Sequence, residues 1–363
     1  MKIKVLKFGG TSVGSVEAIK RSASIICDWS KKSKVIVVLS AMSGETDRLI
    51  NLTKSFSKSP NPVDFDNAIS TGENLSCALM SIYLNNQKTK SKSLHSWQIP
   101  IMTSSEHMKS RILSINKNFL LNELENLDVL VVPGFQGINE RREITTLGRG
   151  GSDTSAVAVA AAMDAECIIY TDVEGVFTTD PNIVPNAKKI NKISYEEMLE
   201  LASQGAKVLQ TRSVELAMRK NTKLSVRSSL KPKKIGTIIT DEKSVLEKNT
   251  VSGIAYTKDE AKITLSRVLD KPGVSSKIFG PLAKGNINVD MILQNISQDG
   301  KFANLSFTLP RADLEKALKI LKKDKSKIGY KKIISSNNIS KISVVGVGMR
   351  SHAGVAQTLF DTL

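Results

Sequence analysis

The 363-residue chain contains few aromatic, cysteine and histidine residues. Aromatic side chains make up only 5% of it, which disfavours functions that depend on base stacking or on a large aromatic-rich interface. The three cysteines, Cys27, Cys77 and Cys167, are far apart in apolar segments, so we expect reduced, buried thiols and no disulfide framework. None of the three histidines has a neighbour at metal-ligand spacing, and a zinc site is therefore not expected.

Long apolar runs and the common phosphate-binding motifs are missing as well. No segment approaches the length needed to span a bilayer, and the basic start MKIKVLKFGG reaches glycines before a signal-peptide core could form. We therefore expect a soluble, cytoplasmic protein. The sequence contains neither GxGxxG nor GxxxxGK followed by Ser or Thr, so a nucleotide-binding loop would have to be of another kind.

Positive charge is abundant, and the formal net charge of +17 raises the question of nucleic-acid binding. The basic residues occur as short pairs, such as Lys31-Lys32 and Lys233-Lys234, spread along the chain among Ser, Asn and acidic residues. This pattern favours a lysine-rich solvated surface that attracts anionic small molecules over a nucleic-acid groove. We expect no nucleic-acid partner and no membrane partner.

Short β-branched runs recur in the first two-thirds of the chain. They are IKVLKF (3–8), KVIVVLS (34–40), VLVVPGF (129–135) and CIIYTDVEGVF (167–177), and helix-like patterns follow the first two at 16–29 and 47–56. Continuous apolar strands that alternate with amphipathic helices indicate an α/β fold with a mostly parallel sheet between helix layers. Ligands bind at the carboxyl ends of such strands, so the loops at 9–10, 40–46 and 171–180 are candidates for one site.

The pattern changes after residue 240. A strand at 261–268, a helix at 274–284, strands at 289–294 and 303–309, a helix at 313–323 and a further strand predict a ferredoxin-like βαββαβ module, with Asp313 as a helix N-cap. Segment 341–363 matches 262–282 as strand, glycine turn and helix, and predicts an incomplete second module, for which a fragment is the favoured explanation. The predicted domains are 1–240, 241–338 (a linker and the first module) and 339–363.

A glycine-rich loop, TTLGRGGSD at 145–153, opens a long Ala-rich segment. Such a loop alone is more often a turn than a phosphate site, but at a helix start its N–H groups and the helix dipole favour an anion. Arg149 adds a guanidinium suited to a carboxylate or phosphate, unless it is an ordinary surface residue. Lys7, which precedes Gly9-Gly10 at a strand end, either extends to solvent or presents its charge to phosphoryl oxygens.

The acidic residues near these loops have structural explanations beside functional ones. Glu73 follows two residues that could cap a helix, so a capping role is favoured for it over substrate binding. Asp153 could simply be a first-turn acid. Asp172 and Asp180 lie beside glycine and proline and are either turn formers or ligands of a ribose hydroxyl.

Together these stretches resemble the aspartate kinase family, which has the amino-acid kinase fold. The resemblance extends over essentially the whole chain, and its motifs are long and occur in the same order. They are KFGGTSV (7–13), VVLSAMSGETDRL (37–49), STGENLS (70–76), GFQGI (134–138), TTLGRGGSDTSAVA (145–158), YTDVEGVFTTDPNIVPNA (170–187), EEMLELASQGAKVLQTRSVELA (196–217) and NINVDMILQN (286–295).

The resemblance implies transfer of the γ-phosphoryl group of MgATP to the β-carboxylate of L-aspartate, the first step toward lysine, threonine, methionine and diaminopimelate. Lys7 and Asp153 would be catalytic; a carboxylate acceptor needs no general base, in keeping with the lack of histidine near any motif. The implied aspartate-binding residues are Ser40, Thr46, Asp47, Glu73, Arg149 and Ser152. The implied nucleotide-binding residues are Lys7, Phe8, Gly9, Gly10, Gly150, Gly151, Thr171, Asp172, Asp180 and Lys207, with no residue assigned as a metal ligand.

The C-terminal module resembles an ACT domain, through which such enzymes sense lysine, threonine or both. The implied effector-binding residues are Asp270, Asn288, Val289, Asp290 and Gln294, and a homodimer or higher oligomer through the ACT domains is expected. Two alternatives remain open. One is a related kinase that acts on glutamate or acetylglutamate; the glycine loop with a downstream ACT module argues against it. The other is a non-catalytic amino-acid sensor. The joint presence of Lys7, Glu73, Arg149 and Asp153 argues against that interpretation.

Overall fold

The structure, a computed structural model, describes residues 2–99, 101–241, 250–297, 300–350 and 352–363. The chain forms two compact units, one comprising Met1–Ala255 with Val344–Leu363 and the other Tyr256–Ser343. The part of the predicted linker at 242–249 lies outside the described residues.

The strands of the first unit form two sheets. They are β1 (Ile3–Phe8), β2 (Lys34–Leu39), β3 (Ser91–Ser93), β4 (Ile101–Thr103), β5 (Ile112–Ile115), β6 (Val129–Pro133), β7 (Gln136–Ile138), β8 (Ile144–Thr146), β9 (Glu166–Thr171), β10 (Lys192–Ser194), β11 (Leu224–Ser228) and β12 (Thr237–Thr240). The main sheet has the order β10-β12-β11-β9-β1-β2-β6-β3, and its neighbours are parallel except for β11 and β12. The smaller sheet has the order β5-β4-β7-β8.

Helices cover both faces of the main sheet. Those before residue 240 are α1 (Gly10–Val13), α2 (Val16–Ser30), α3 (Glu45–Phe56), α4 (Pro62–Ile69), α5 (Thr71–Asn86), α6 (Lys117–Glu125), α7 (Gly151–Ala162), α8 (Tyr195–Ser203) and α9 (Thr211–Arg219). Leu6 and Phe8 of β1 share a core with α2 and α5, whereas Val5 shares a core with α7, α8 and α9. Because both faces are covered, the central strands are mostly apolar along their length, which is why the sequence predicts a parallel sheet.

The predicted strands of this unit are confirmed as β1, β2, β6 and β9, although the runs 34–40, 129–135 and 167–177 extend past the ends of their strands by one, two and six residues. The run at 167–177 is a strand only as far as Thr171. Beyond it, Gly175 has φ +152° and turns the chain so closely beside Thr237 that a Cβ there would lie 2.6 Å from the Thr237 hydroxyl oxygen. The turn-forming residues of this segment therefore override its apolar composition.

The second unit has a four-stranded sheet with helices packed on one face. Its elements are β13 (Gly253–Leu269), α10 (Val274–Lys284), β14 (Ile292–Ile296), β15 (Phe302–Pro310), α11 (Leu314–Lys323), α12 (Lys325–Ile328) and β16 (Lys332–Val345), with the sheet order β14-β15-β13-β16. Ile263 and Phe307 from the sheet pack against Leu282 of α10 and Leu321 of α11. The predicted ferredoxin-like βαββαβ order is confirmed.

Three strands of this unit differ from the sequence prediction. β13 begins at Gly253, eight residues before the predicted start at 261. The pattern predicts β14 at 289–294, whereas it lies at Ile292–Ile296 as an edge strand whose side chains are all exposed, so it has no alternation of burial to reveal it. The pattern also predicts separate strands before and after residue 340, but Lys332–Val345 is one strand that runs through the predicted boundary at 338/339. Asp313 occupies the N-cap of α11 as predicted, although its side chain makes no capping hydrogen bond.

The last helix, α13 (Val355–Thr362), lies in the first unit. It begins after Gly354 just as α10 begins after Gly273, and both glycines have left-handed φ values, +92° and +85°. This is the repeat of a glycine turn and a helix that the sequence predicts. Within the described ranges, no helix is long and apolar enough to cross a membrane.

Candidate active site

A cavity of about 750 Å³ opens at the carboxyl ends of β1 and β2, beside the start of α7. Many of the predicted catalytic and binding residues line it. They are Lys7, Gly10, Ser40, Thr46, Asp47, Glu73, Arg149, Gly150, Gly151, Ser152 and Asp153. The loop at 40–46 and the glycine loop at 145–153 thus meet in one place, although they are about a hundred residues apart in sequence.

Lys7 and Asp153 form a buried ion pair in the cavity wall. The Lys7 Nζ and Asp153 Oδ1 atoms are 2.7 Å apart, and the side chains are 12% and 10% exposed. Alternation along β1 places Lys7 on the α7 face of the sheet, where Asp153 stands in the first turn of the helix. Asp153 is therefore a first-turn acid and also the partner of Lys7. Removal of either residue would leave a buried charge without its counter-ion.

Two helices begin at the cavity without a side-chain cap. Gly44 precedes α3 and Gly150 precedes α7, both with left-handed φ (+78° and +71°), and neither helix start receives a side-chain hydrogen bond at its N-cap. Thr46 and Asp47 lie in the first turn of α3, as Ser152 lies in that of α7. Some of the first-turn N–H groups are used within the chain, since Gly151 and Asp153 donate to the carbonyl oxygens of Gly148 and Gly150 at 3.0 and 3.2 Å. The remaining N–H groups, such as that of Ser152, together with the helix dipoles make both helix starts suitable for anionic ligands.

Packing also explains why the glycine loop lacks side chains. A Cβ on Gly150 would lie 1.8 Å from Cγ of Gln210, and a Cβ on Gly151 would lie 2.9 Å from Cβ of Leu147. A side chain at either position would therefore displace a neighbour even without a ligand. Anion binding remains a reason for the bare loop, but it is not the only reason.

Glu73 does not cap a helix, and the structure corrects that prediction. Its Oε1 atom accepts a hydrogen bond of 3.1 Å from the N–H of Ala41, in the loop after β2, and its Oε2 atom is buried with no hydrogen-bond partner. The residue is only 2% exposed. Burial raises the pKa of Glu73 to about 7, while the backbone N–H groups of Ala41 and of Glu73 itself act in the opposite direction. An unpaired carboxylate oxygen that faces a cavity is a suitable acceptor for a cationic group.

Arg149 lies exposed at the same cavity. Within the described part of the chain it forms no ion pair, so its guanidinium is available to a ligand from solvent. Ser40, which directly follows β2, is held there because its N–H donates to the carbonyl oxygen of Phe8 at 3.1 Å. The loop that carries Ser40 is thus attached to the end of β1, close to Lys7.

The remaining predicted nucleotide-binding residues do not line this cavity. They are Phe8, Gly9, Thr171, Asp172, Asp180 and Lys207. Phe8 is buried and stacks on Tyr170 with ring centroids 4.9 Å apart, so only its backbone could contact a ligand. Asp180 accepts a hydrogen bond of 2.9 Å from the N–H of Asn182, as a turn former does. Thr171 donates to Asp172 at 3.1 Å, and Lys207 is exposed.

Several cavity residues could not be identified from the sequence. Met108, Phe135, Thr146 and Gln210 line the cavity. Gln210 stands at the N-cap of α9 and reaches Gly150, a contact between residues 60 positions apart. No local pattern signals such a contact, although Phe135, Thr146 and Gln210 do fall within segments that carry the family resemblance.

In the second unit, only some of the predicted effector-binding residues come together. The Gln294 amide donates to Asp270 Oδ1 at 3.1 Å, and both side chains are exposed. Asp290 is instead ion-paired with Lys341 of β16, a residue that no sequence pattern marks as a ligand. Asn288 is exposed, and Val289 is half-buried against the core of the unit.

Comparison with known proteins assigns the fold to a family. Residues 2–228 match the amino acid kinase family, and residues 266–324 match the ACT domain. The aspartate kinase of Pseudomonas putida is 48% identical over 366 residues, and the alignment covers 100% of this chain and 89% of that protein. The chain therefore belongs to the amino acid kinase family and, within it, to the aspartokinases.

Solved structures support the same fold class. Aspartokinase III of E. coli in complex with aspartate and ADP has a TM-score of 0.82 at 24% identity, covering 99% of this chain and 91% of that one. The same enzyme in complex with lysine and aspartate has a TM-score of 0.76 at 24% identity, covering 100% and 91%. The predicted fold class is confirmed, and the identity to the Pseudomonas enzyme confirms the predicted enzyme class.

Proposed function

We propose that this chain transfers the γ-phosphoryl group of MgATP to the β-carboxylate of L-aspartate, giving 4-phospho-L-aspartate and ADP. The observation that carries the proposal is the buried Lys7–Asp153 ion pair, which shares one cavity with the unpaired Oε2 atom of Glu73. Those groups offer a cation for a phosphoryl group and an anion for an ammonium group within one site.

The acceptor end of the site is built for a zwitterion with a second carboxylate. Glu73 Oε2 would accept the ammonium group of aspartate, and Arg149 would bind its α-carboxylate through paired N–H donors. The uncapped start of α3, with Thr46 and Asp47, would lie alongside. The complexes of the E. coli enzyme with aspartate are in keeping with this assignment.

The phosphoryl end depends on charge neutralisation and not on proton transfer. The aspartate carboxylate is already ionised, so it attacks the γ-phosphorus without a general base, and the bond to the leaving ADP oxygen breaks. The Lys7 ammonium would stabilise the charge on the transferring group, and Asp153 would hold that ammonium in place. The N–H group of Ser152, which is not bonded to a backbone carbonyl of any described residue, and the dipole of α7 would attract phosphoryl oxygens.

Mg²⁺ would be bound mainly by the nucleotide. Within the described ranges, no group of three or more His, Cys, Asp or Glu side chains could hold a metal ion. Mg²⁺ binds phosphate oxygens and water readily and needs few protein ligands, so the residues present fit a nucleotide-borne ion. Such an ion neutralises phosphate charge and orients the γ-phosphoryl group. Thr171, Asp172, Asp180 and Lys207 would contact the nucleotide outside the cavity.

We further propose that the ACT region binds lysine, threonine or both and inhibits the reaction. The E. coli enzyme has been solved with lysine bound, and this chain has the matching ACT domain. The same proposal includes assembly through the ACT domains as a homodimer or higher oligomer. It also places the enzyme in the cytoplasm, at the start of lysine, threonine, methionine and diaminopimelate synthesis. The domain boundaries 1–240, 241–338 and 339–363 stay a prediction.

The test is turnover with ATP and Mg²⁺ over a panel of acceptors, trapping the acyl phosphate with hydroxylamine. Hydroxamate formed from L-aspartate, but not from L-glutamate or N-acetyl-L-glutamate, is the expected result. Preference for either of the other acceptors would assign the chain to a related kinase. Binding of amino acids without turnover of any acceptor, in a folded sample, would favour a sensor.

A further inference from the structure

Asp66 is a fully buried carboxylate for which the proposed mechanism has no use. It lies on α4, between Phe65 and Ile69, two residues of the cavity wall. Its Oδ2 atom accepts hydrogen bonds from the N–H groups of Met108 (3.0 Å) and Thr146 (3.0 Å), and it lies 2.9 Å from Nδ1 of His107. Its Oδ1 atom accepts from the Thr146 hydroxyl at 2.7 Å. Both carboxylate oxygens of Asp66 are therefore engaged by groups that come from distant parts of the chain.

Two of the residues that contact Asp66 belong to the walls of the cavity. Met108, in the loop after β4, and Thr146, at the end of β8, both line it. Met108 has a left-handed φ of +65°, a conformation that needs support from its surroundings. Its carbonyl oxygen lies so close to the next turn that a Cβ on Gly148 would be 2.9 Å from it. Asp66 therefore fixes a strained residue against the loop that leads into Arg149.

A second set of hydrogen bonds ties the same two loops together. Arg212 donates to the carbonyl oxygens of Leu147 (2.7 Å) and Ser110 (3.1 Å). Ser110 in turn donates through its N–H (3.0 Å) and its hydroxyl (2.9 Å) to the carbonyl oxygen of Thr146. The segment just before Arg149 is thus held through Asp66 and through Arg212. Such a network restricts both loops, because moving one of them breaks bonds to the other.

We propose that Asp66 is a positioning residue for the acceptor substrate. Its carboxylate holds Met108 and Thr146 in the cavity wall. It thereby fixes the backbone path from Thr146 to Arg149, and with it the position of the Arg149 side chain. The inference rests on the proposed function, since it concerns binding of L-aspartate. It predicts a larger effect on that substrate than on ATP, because Arg149 is the first predicted binding residue that the held segment reaches, before Gly150 and Gly151 of the nucleotide set.

The experiment compares Asp66→Ala, Asp66→Asn and a control, Asp64→Ala, by measuring kcat and the KM for each substrate. Asp64 lies on the same helix, but its side chain is exposed. Asp66→Ala is expected to raise the KM for L-aspartate by about tenfold, as loss of a charge-assisted hydrogen bond would, and to change the KM for ATP by less than about twofold. Asp66→Asn keeps one acceptor oxygen and should fall between Asp66→Ala and wild type, while the control should match wild type.

Hydrogen exchange gives a readout that does not depend on turnover. In Asp66→Asn, peptides that cover 104–111 and 143–149 should exchange faster than in wild type, because the N–H groups of Met108 and Thr146 lose their charged acceptor. The Asn variant also carries the test if the Ala variant fails to fold.

Three results would overturn the inference. They are an unchanged KM for L-aspartate in a folded variant, an equal rise in both KM values, and unchanged exchange of the two peptides. Failure of the wild-type protein to phosphorylate L-aspartate is a separate result, seen before any variant is made, and it would remove the proposed function together with this inference.

Discussion

At the residue scale, Glu73 links the chemistry of the site to the stability of the fold. Burial raises its pKa from 4.5 to about 7, so between those pH values the folded chain holds a proton that the unfolded chain has released. Stability must therefore fall as pH rises through that window, and the destabilisation is complete above pH 7. The shift corresponds to roughly 3 kcal/mol of unfolding free energy, since each pKa unit contributes about 1.4 kcal/mol.

Glu73→Gln should therefore stabilise the protein at high pH and not at low pH. The neutral amide keeps an acceptor for the Ala41 N–H but carries no charge to bury. We expect an unfolding free energy higher than wild type by about 2 to 3 kcal/mol at pH 8, with little difference near pH 4. Urea denaturation at both pH values measures this, and an equal difference at both would contradict the assigned cause.

The two buried lysines of β1 separate catalysis from stability. Lys7 pairs with Asp153 on the α7 face of the sheet, and Lys4 pairs with Glu166 on the opposite face. Lys7→Met and Lys4→Met should both destabilise the fold, because each leaves a largely buried carboxylate without its counter-ion. Only Lys7→Met should lower kcat, by about a thousandfold, the upper range for loss of one electrostatic stabiliser.

The matched pair makes the test specific. Steady-state kinetics and thermal unfolding of both variants are compared under one set of conditions. A similar loss of kcat in Lys4→Met would mean that the ion pair matters for folding and that Lys7 has no special place in the reaction.

Local sequence patterns predict the residues that sit where strands and helices begin or end. Lys7 and Arg149 could be predicted as cavity residues because each lies near glycines at such a junction. There the order of strands and helices along the chain already shows at which end of the sheet the residue lies. Asp66 and Gln210 could not, because their contacts at Thr146 and Gly150 join segments at least 60 residues apart. The helix-capping role predicted for Glu73 was wrong for the same reason, since the carboxylate of Glu73 bonds instead to the N–H of Ala41, which is distant in sequence.

At the element scale, the start of α7 depends on the absence of a side chain at Gly150. Both Gly150 and Gly44 adopt left-handed φ, but only Gly150 has a neighbour in the space that a Cβ would fill, Cγ of Gln210 at 1.8 Å. Gly44→Ala should cost about 1 kcal/mol of unfolding free energy from backbone strain alone. Gly150→Ala should cost clearly more, because Gln210 must also move.

A double-mutant cycle isolates the packing contribution. Gln210→Ala should recover part of the loss caused by Gly150→Ala, with a coupling energy on the order of 1 kcal/mol measured by urea denaturation. Additive effects, or equal losses at Gly44 and Gly150, would show that the α7 start tolerates a Cβ.

Elements covered on both faces are predictable in a way that edges are not. β1 and β2 lie inside the main sheet and appear in the sequence as mostly apolar, β-branched runs whose bounds agree with the structure to within one residue. β14 lies at a sheet edge with every side chain exposed, and its bounds were wrong by about three residues. β16 continues through Lys332–Val345 because strand pairing, which the sequence does not display, extends past the polar residues around 338.

At the scale of the whole molecule, the proposed regulation requires that binding of an effector in the second unit changes the rate of turnover in the first. Asp270 and Gln294 are the predicted effector-binding residues that the structure brings into contact, and both are exposed to incoming ligand. A carboxylate beside an amide can bind the ammonium group of a free amino acid. The coupling between such a site and the active site is a free energy. A change at the effector site therefore shifts the effector concentration needed for inhibition and leaves the uninhibited rate unchanged.

Asp270→Ala should therefore raise the concentration of lysine plus threonine needed for half-maximal inhibition by about tenfold, with the uninhibited kcat unchanged. Asp259→Ala is the matched control, because Asp259 is an exposed aspartate on β13 of the same unit and is not a predicted ligand. The hydroxamate assay over a range of each amino acid, alone and together, gives the measurement. Equal shifts in both variants would point to a general charge effect, since the surface is strongly cationic. A wild-type rate indifferent to both amino acids would instead remove the regulatory proposal and leave the catalytic one standing.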